Sequence, residues 1–174
     1  MAEKNKITGF EETVMPHLNA AYNLARWLTR NDADADDVVQ EAYLRAFKFF
    51  QGFQGGDSRA WVLKIVRNTC YSWLQKNRPP ENTAEFDEEQ HSSESHNPET
   101  ILIESIDKQF LRQLLEELPR EFREVVILRD LEGLSYKEIA NISDLPLGTV
   151  MSRLARARQR LQSNLTTHVK GASK

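Results

Sequence analysis

The chain has 174 residues, enough for one ordinary domain or two small ones, and its 40% hydrophobic content supports packed cores. The lone Cys70 excludes an internal disulfide, and its apolar helical surroundings predict a buried core thiol. No apolar run approaches the roughly 20 residues of a membrane span. Because the N-terminus also carries no apolar signal region, we expect a cytoplasmic protein.

The net charge of −3 is unevenly distributed along the chain. Between Glu81 and Glu99 there are seven acids and no Lys or Arg, and their removal from the 26 acids leaves 19 against 23 bases. This polar stretch is too poor in apolar residues to order itself, so it is predicted to be a flexible linker. The blocks on either side are basic, which is compatible with nucleic-acid binding.

The first block begins with a long apolar stripe at helical spacing. Thr8 and Glu11 have the spacing of a capping box, which predicts a helix start. Pro16 should kink or split this helix. The stripe consists of Phe10, Val14, Leu18, Ala21, Ala25 and Leu28.

A second helix is predicted from about residue 36 to 50, after a turn at 31–35 that is rich in capping residues. Val39, Ala42, Tyr43, Ala46 and Phe50 form its inward face. The opposite face carries Asp37, Gln40, Glu41, Leu44 and Lys48. A Leu at the centre of an acidic stripe suggests a docking site for a basic protein partner. The alternative is a solvated face with one exposed Leu.

A third helix is predicted from a cap at Asp57 or Ser58 to about residue 77, after a glycine-containing loop at 51–56. Its core stripe is Val62, Ile65, Val66, Thr69 and Trp73. The opposite face alternates aromatic and polar or basic residues: Trp61, Lys64, Asn68, Tyr71, Gln75 and Arg78, flanked by Arg67 and Lys76. This pattern suits single-stranded nucleic acid, since cations meet phosphates and rings stack on bases. Peripheral core aromatics on a solvated basic face are the alternative.

In the second block, Asn97-Pro98 predicts the start of a helix that runs to about residue 117. Leu118-Pro119 starts another helix, which ends near Gly133 and turns Phe122, Val125 and Val126 inward.

The segment 134–161 has the pattern of a helix-turn-helix. Ser135 and Glu138 form a capping box, and residues 143–146 break the helical pattern. Asp144 or Ser143 stands in the turn where many such motifs carry Gly. The second helix has an apolar stripe of Val150, Leu154, Ala157 and Leu161, and no acid occurs from 147 to the end. This geometry lays a basic helix in the DNA major groove, although a solvated amphipathic helix would show a similar pattern.

Together, these features resemble an extracytoplasmic-function sigma factor, the minimal class of the sigma-70 family. The Leu-Pro-x-x-x-Arg-x-Val pattern at 118–125, just before the helix-turn-helix, is typical of sigma domain four. The resemblance implies an all-α fold of two small helical domains, with sigma domain two at residues 1–78, a flexible acidic linker at 79–98 and sigma domain four at 99–174. The matching stretches are 32–50, 53–78, 115–140 and 145–161.

The resemblance also assigns partners and roles. It implies core RNA polymerase, bound through its β′ clamp helices and β flap, promoter DNA, an anti-sigma factor and a stress-responsive promoter-specific function. The residues that would bind the clamp helices are Asp36, Asp37, Gln40, Glu41, Leu44 and Lys48. The residues that would capture the unstacked −10 strand are Phe53, Asp57, Arg59, Trp61, Lys64, Arg67, Asn68 and Tyr71.

The helix from 147 would read the −35 element as duplex. Arg156 is the best candidate for a bidentate guanine contact, on a face shared with Met151, Ser152, Ala155 and Gln159. Residues better placed for phosphates are Lys137, Thr149, Arg153, Arg158 and Arg160. Met151 and Ala155 stand where family members often carry an aromatic residue or a second Arg, which suggests more dependence on DNA shape.

Two other classes of protein remain open at this point. A stand-alone helix-turn-helix regulator with an N-terminal sensor domain would bind duplex DNA by itself. An enzyme is disfavoured, because the sequence shows no nucleotide-binding glycine loop, no metal-ligand spacing and no nucleophile–base arrangement. We therefore predict no catalytic residue, no metal and no cofactor.

Overall fold

The structure is a computed structural model that describes residues 1–78 and 108–172, without the side chains from 168 onward. Every regular element in these ranges is a helix, as the all-α prediction requires. The N-terminal unit contains α1 (Ala2–Val14), α2 (Leu18–Thr29), α3 (Asp32–Phe49) and α4 (Ser58–Asn77). The C-terminal unit contains α5 (Lys108–Glu117), α6 (Arg120–Val126), a π-helical turn (Ile127–Leu131), α7 (Tyr136–Ser143) and α8 (Leu147–Ala172).

The predicted linker at 79–98 and the predicted helix start at Asn97-Pro98 lie outside the described residues. The boundary between residues 98 and 99 therefore stays a prediction.

The first predicted helix is split, as expected, at Pro16. A 3₁₀ turn at Met15–His17 separates α1 from α2, because proline removes a backbone donor and clashes with the preceding turn. The prediction that a capping box at Thr8 starts the helix is wrong, because α1 already begins at Ala2. The Thr8 hydroxyl instead donates to the Lys4 carbonyl at 3.0 Å. Leu18 is also wrongly assigned to the core, since it follows the turn and is 38% exposed.

Two short polar side chains start α3 and α4. The Asn31 side chain accepts a hydrogen bond from the Asp34 amide at 3.0 Å, so α3 begins at Asp32, earlier than predicted. Asp57 does the same for the Ala60 amide at 3.1 Å, which confirms the predicted cap of α4. These caps fix where the outward faces of both helices begin.

The helix-turn-helix has the predicted local chemistry. The Glu138 amide donates to the Ser135 hydroxyl at 3.1 Å, and the Ser135 amide donates to the Glu138 carboxylate at 3.2 Å. Asp144 ends α7 in the left-handed region with φ 55°, which Asp tolerates better than most residues. The α8 stripe of Val150, Leu154, Ala157 and Leu161 is buried, as predicted.

The two units pack against each other. Helices α2, α3 and α4 form one bundle, α6, α7 and α8 form another, and α4 contacts α7 while α2 contacts α6. Their buried apolar residues make one continuous cluster, which includes Cys70 as predicted. Small bundles gain stability this way, since neither unit alone buries much surface.

Candidate functional site

The outward face of α3 is an exposed acidic surface with an apolar centre. Leu44 is 72% exposed. A Leu that is this exposed forgoes most of the favourable free energy that burial of its side chain would provide. Asp37 and Lys48 are exposed, and Glu41 is half-buried and bonded to Arg45 at 2.7 Å. A rigid helix therefore presents one aliphatic side chain among charges, the composition of a protein-docking anchor with a selective rim. Asp36 and Gln40 are likewise exposed.

The loop before α4 folds back onto the helix through aromatic contacts. The rings of Phe53 and Trp61 have centroids 5.0 Å apart, and Phe50 lies 6.3 Å from Phe53 and 6.4 Å from Trp61. Gly55 and Gly56 have φ values of 89° and 94°, which L side chains rarely adopt. All three rings are partly exposed, so they can offer faces to a planar ligand.

The outward face of α4 meets a buried carboxylate from α6. Arg67 Nε donates to Glu124 Oε1 at 2.7 Å, and the Tyr71 hydroxyl donates to Glu124 Oε2 at 2.7 Å. The Ser143 hydroxyl of α7 donates to Oε1 at 3.1 Å. Glu124 is fully buried, and these donors supply the hydrogen bonds that a buried charge requires.

This network sets the ionisation of both α4 partners. Burial raises the pKa of Tyr71 well above 10.0, and the Glu124 charge adds to the shift, so the hydroxyl remains a donor. Burial alone would lower the pKa of Arg67, but the charge and hydrogen bond of Glu124 together with those of Tyr71 outweigh it, and the pKa is raised. The arrangement is therefore a charged arginine and a protonated phenol sharing one carboxylate.

Further contacts join the start of α4 to the C-terminal unit. Arg59 donates to the Glu132 carboxylate at 3.0 Å and to the Glu132 carbonyl, and Lys64 Nζ donates to Asn141 Oδ1 at 3.3 Å. The pKa of Asp57 is lowered, first by the Ala60 amide and then by a hydrogen bond with the Glu138 side chain. The structure thus brings the predicted strand-binding residues together on one face. It places several of them against the C-terminal unit, while Asn68 is exposed.

On α8, Met151, Ala155 and Gln159 lie opposite the buried stripe, whereas Arg153 and Arg158 flank it. Met151 is 50% exposed, Ala155 and Gln159 are exposed, and Arg156 is partly buried. Arg158 donates to Asp130 at 2.7 Å, so this guanidinium is held by its own unit. Thr149, Ser152 and Arg153 are partly buried, and Lys137 on α7 is exposed. The assignment of individual DNA contacts stays a prediction.

The sequence pattern did not predict the residues of the C-terminal unit that contact the α4 face: Glu124, Glu132, Asn141 and Ser143. One signal was present, because Glu124 directly precedes the apolar run from Val125 to Leu128. An acid at an inward position needs a buried donor, but the sequence does not say which one.

Within the described parts of the chain, no three His, Cys, Asp or Glu side chains are grouped so that they could hold a metal ion. The helices described at 1–78 and 108–172 also include none with the length and apolar character needed to cross a bilayer.

Two family models match the chain, one in each unit. The model described as "Sigma-70 region 2" matches residues 13–79, and that described as "Sigma-70, region 4" matches residues 109–161. The chain therefore belongs to the sigma-70 family, which is not a family of catalytic enzymes.

Curated relatives show which class of sigma-70 factor the chain resembles. The chain is 36% identical over 160 residues to the ECF RNA polymerase sigma factor SigE of Mycolicibacterium smegmatis, covering 91% of this chain and 62% of that protein. It is 34% identical over 151 residues to the ECF RNA polymerase sigma-E factor of Haemophilus influenzae, covering 82% of this chain and 79% of that one. Within the sigma-70 family, the chain is an extracytoplasmic-function (ECF) sigma factor.

Two solved structures share the fold. The sigma factor RpoE of Bartonella quintana, in complex with the anti-sigma factor NepR, matches with TM-score 0.70 and 31% identity over 91% of this chain and 97% of that one. CnrH, in complex with the cytosolic domain of CnrY, matches with TM-score 0.63 and 25% identity over 91% of this chain and 88% of that one.

Proposed function

We propose that the protein binds core RNA polymerase in the cytoplasm and directs promoter-specific transcription initiation, without catalytic activity of its own. The observation that carries the proposal is the presence of both sigma regions in one chain, each with a distinct outward surface. One unit presents Leu44 among acids on α3, and the other presents the basic helix α8. A protein-docking surface and a duplex-reading helix are the two parts that recruitment of polymerase to a promoter requires.

In this proposal, the α3 face binds the β′ clamp helices, and the C-terminal unit also contacts the β flap. Helix α8 enters the major groove at the −35 element, where Arg156 contacts a guanine edge. The chain between the units tethers two weak DNA sites, so that binding at one raises the effective concentration at the other.

The strand-binding surface is the loop at 51–57 together with the outward face of α4. Extruding a base costs a few kcal/mol of lost stacking, which rings and polar groups must offset. Phe53 and Trp61 supply stacking faces that already pack against each other. Arg59, Lys64 and Arg67 supply cations for the phosphates between stacked bases.

We further propose control by an anti-sigma factor, under a stress signal. One matching solved structure holds the sigma factor RpoE bound to the anti-sigma factor NepR, and another holds CnrH bound to the cytosolic domain of CnrY. An inhibitor that covers the α3 face or α8 would block polymerase or DNA.

The test is run-off transcription on a genomic promoter library with core polymerase alone and with core plus this protein. The expected result is new start sites, each with a common pair of upstream elements, that require the added protein. A parallel gel-shift assay on those promoters is expected to show specific binding only when core is present. Specific duplex binding by the protein alone, with no added start sites, would instead support a stand-alone regulator.

A further inference from the structure

Helix α8 begins with a row of exposed apolar side chains. Leu147, Met151 and Ala155 follow one another at intervals of four residues, so they are neighbours along the first turns of the helix. Leu147 is 42% exposed, Met151 is 50% exposed and Ala155 is exposed as well, so the core of the C-terminal unit does not account for this row. Neighbouring exposed apolar side chains, unlike a single one, mark a surface that binds a partner.

The charges of α8 fit a nucleic acid as that partner. The chain contains no acid from residue 147 to its end, and the same turns of α8 carry Arg153, Arg156 and Arg160. Cations of this kind bind phosphates and fix a helix in a groove, which apolar side chains cannot do. The apolar row is therefore left to meet the base edges. This inference rests on the proposed function, which places α8 in the major groove of the −35 element.

The base edges of the major groove carry one apolar group, the C5-methyl group of thymine. A methionine placed against a base donor or acceptor would displace water from it without offering a hydrogen bond, which costs free energy. Against the methyl group, the same side chain buries apolar surface on both partners. We propose that Met151, with Leu147 and Ala155 beside it, reads T·A pairs of the −35 element through their thymine methyl groups.

The spacing along α8 extends this contact over neighbouring base pairs. Residues four positions apart are separated by about 6 Å along a helix axis, and successive base pairs by about 3.4 Å. Met151 and Ala155 therefore face pairs that are close together, and Arg156 follows directly. The Ser152 hydroxyl donates to the Thr149 carbonyl at 3.1 Å, so its proton is used within the helix. The element is then a guanine for Arg156 beside one or more thymines for the row.

The test removes single methyl groups from the DNA. Promoters found in the transcription screen are rebuilt with deoxyuridine in place of each −35 thymine in turn, which deletes the C5-methyl group and keeps every hydrogen-bonding group. Binding of core polymerase with this protein, measured by fluorescence anisotropy, is expected to weaken about fourfold at one or two adjacent positions, the value of one buried methyl group. Deoxyuridine between the two promoter elements is the DNA control and should change nothing.

Met151→Ala completes a double-mutant cycle with the methyl group. In this variant, thymine and deoxyuridine are expected to bind equally well at the contacted position, because the side chain that touches the methyl group is absent. Gln162→Ala is the protein control, since it shortens an exposed side chain further along α8 and should retain the fourfold difference. Recognition through duplex shape requires no side chain at the pair, so a methyl effect of that origin would persist in Met151→Ala.

Methylated cytosine tests the same contact in the opposite direction. A C·G pair at the contacted position is expected to weaken binding, and 5-methylcytosine presents a methyl group at the place of that of thymine. It should restore about fourfold to the native protein and nothing to Met151→Ala. The ratio between thymine and deoxyuridine should also be the same at low and high salt, because counterion release belongs to the phosphate contacts.

The inference is overturned if the native protein binds thymine and deoxyuridine equally at every −35 position, or if the promoters share no T·A pair in that element. It is also overturned if Met151→Ala retains the difference, or if 5-methylcytosine restores nothing to the native protein. Failure of the proposed function has a different signature, since the native protein would then add no start sites to core polymerase, whatever base stands in the −35 element.

Discussion

Phe53 and Trp61 pack ring against ring, with centroids 5.0 Å apart and an interplanar angle of 44°. The contact holds the beginning of the loop against the first turns of α4, and Gly55 and Gly56, with φ values of 89° and 94°, lie in the backbone between the two rings. Phe50 lies on the other side and stacks on Phe53 with an interplanar angle of 20°. The loop is thus organised by its own rings before any nucleic acid arrives, which reduces the ordering cost of binding.

Phe53→Ala is expected to weaken binding of the polymerase complex to a −10 strand oligonucleotide by about 1–3 kcal/mol, the usual value of a base–aromatic stack. Filter binding or anisotropy with the assembled complex measures the loss. Phe49→Ala is the matched control, because Phe49 is 59% exposed at the end of α3 and lies outside the ring cluster. Equal losses for both variants would show that the cluster has no special role in strand capture.

The cap of α4 gives a pH-dependent prediction. Asp57→Ala is expected to lower the free energy of unfolding by about 1 kcal/mol at pH 7, because the Ala60 amide loses its acceptor. The pKa of Asp57 in the folded protein lies below 3.8, through the Ala60 amide first and the Glu138 side chain second. Because the pKa is lower in the folded protein, the ionised Asp57 stabilises the folded state at pH values above its pKa in the unfolded chain. This contribution is lost as the pH falls through the pKa of Asp57 in the folded protein.

Urea unfolding of the native protein and Asp57→Ala at a series of pH values checks this sign. The difference in free energy of unfolding should stay constant at pH values well above 3.8 and shrink as the pH falls below 3.8. Glu12→Ala on the exposed surface of α1 serves as the control. A difference that grows on acidification would contradict the assignment of Asp57 as an ionised cap.

The sequence predicted those parts of the fold that local chemistry decides. The stripes of α3, α4 and α8 follow the helical period, and the capping box at Ser135 starts α7 where expected. The same motif at Thr8 gave a wrong prediction, because Thr8 lies inside α1. A Thr-x-x-Glu spacing inside a helix looks the same in the sequence as one at a helix start. Only the residues before Thr8 decide between the two.

The contact between the units could not be predicted in the same way. Arg67 and Glu124 are separated by 57 positions, and nothing in one sequence pairs a particular cation with a particular acid. On the face that the pattern of α4 marked, Trp61 packs against Phe50 and Phe53 of its own unit, whereas Arg67 and Tyr71 bond to Glu124 of the other unit. The pattern could not distinguish a face open to nucleic acid from one occupied by another part of the chain.

The docking assignment on α3 is tested by the double variant Asp37→Ala with Leu44→Ala. Affinity for core polymerase is expected to fall by at least about tenfold, since an apolar anchor and a rim charge are both removed. Surface plasmon resonance with immobilised core measures it, and circular dichroism should be unchanged because both side chains are exposed. The matched control is Ile7→Ala with Glu11→Ala, an exposed apolar residue and an acid on α1. Normal core binding by the α3 double variant would remove this face from the docking site.

Arg156→Ala tests whether α8 reads sequence or only holds the backbone. A bidentate contact to guanine predicts a loss of about 1–3 kcal/mol that is concentrated at one base pair of the −35 element. Transcription from promoters substituted singly at each −35 position measures it, because the native preference at that pair should disappear in the variant. A phosphate contact predicts instead a uniform loss over all promoters and a shallower dependence on salt. Gln162→Ala, exposed further along the same helix, provides the control. A uniform loss for Arg156→Ala would move this residue to the phosphate-binding set, and base discrimination would then rest on Met151, Gln159 and the shape of the duplex.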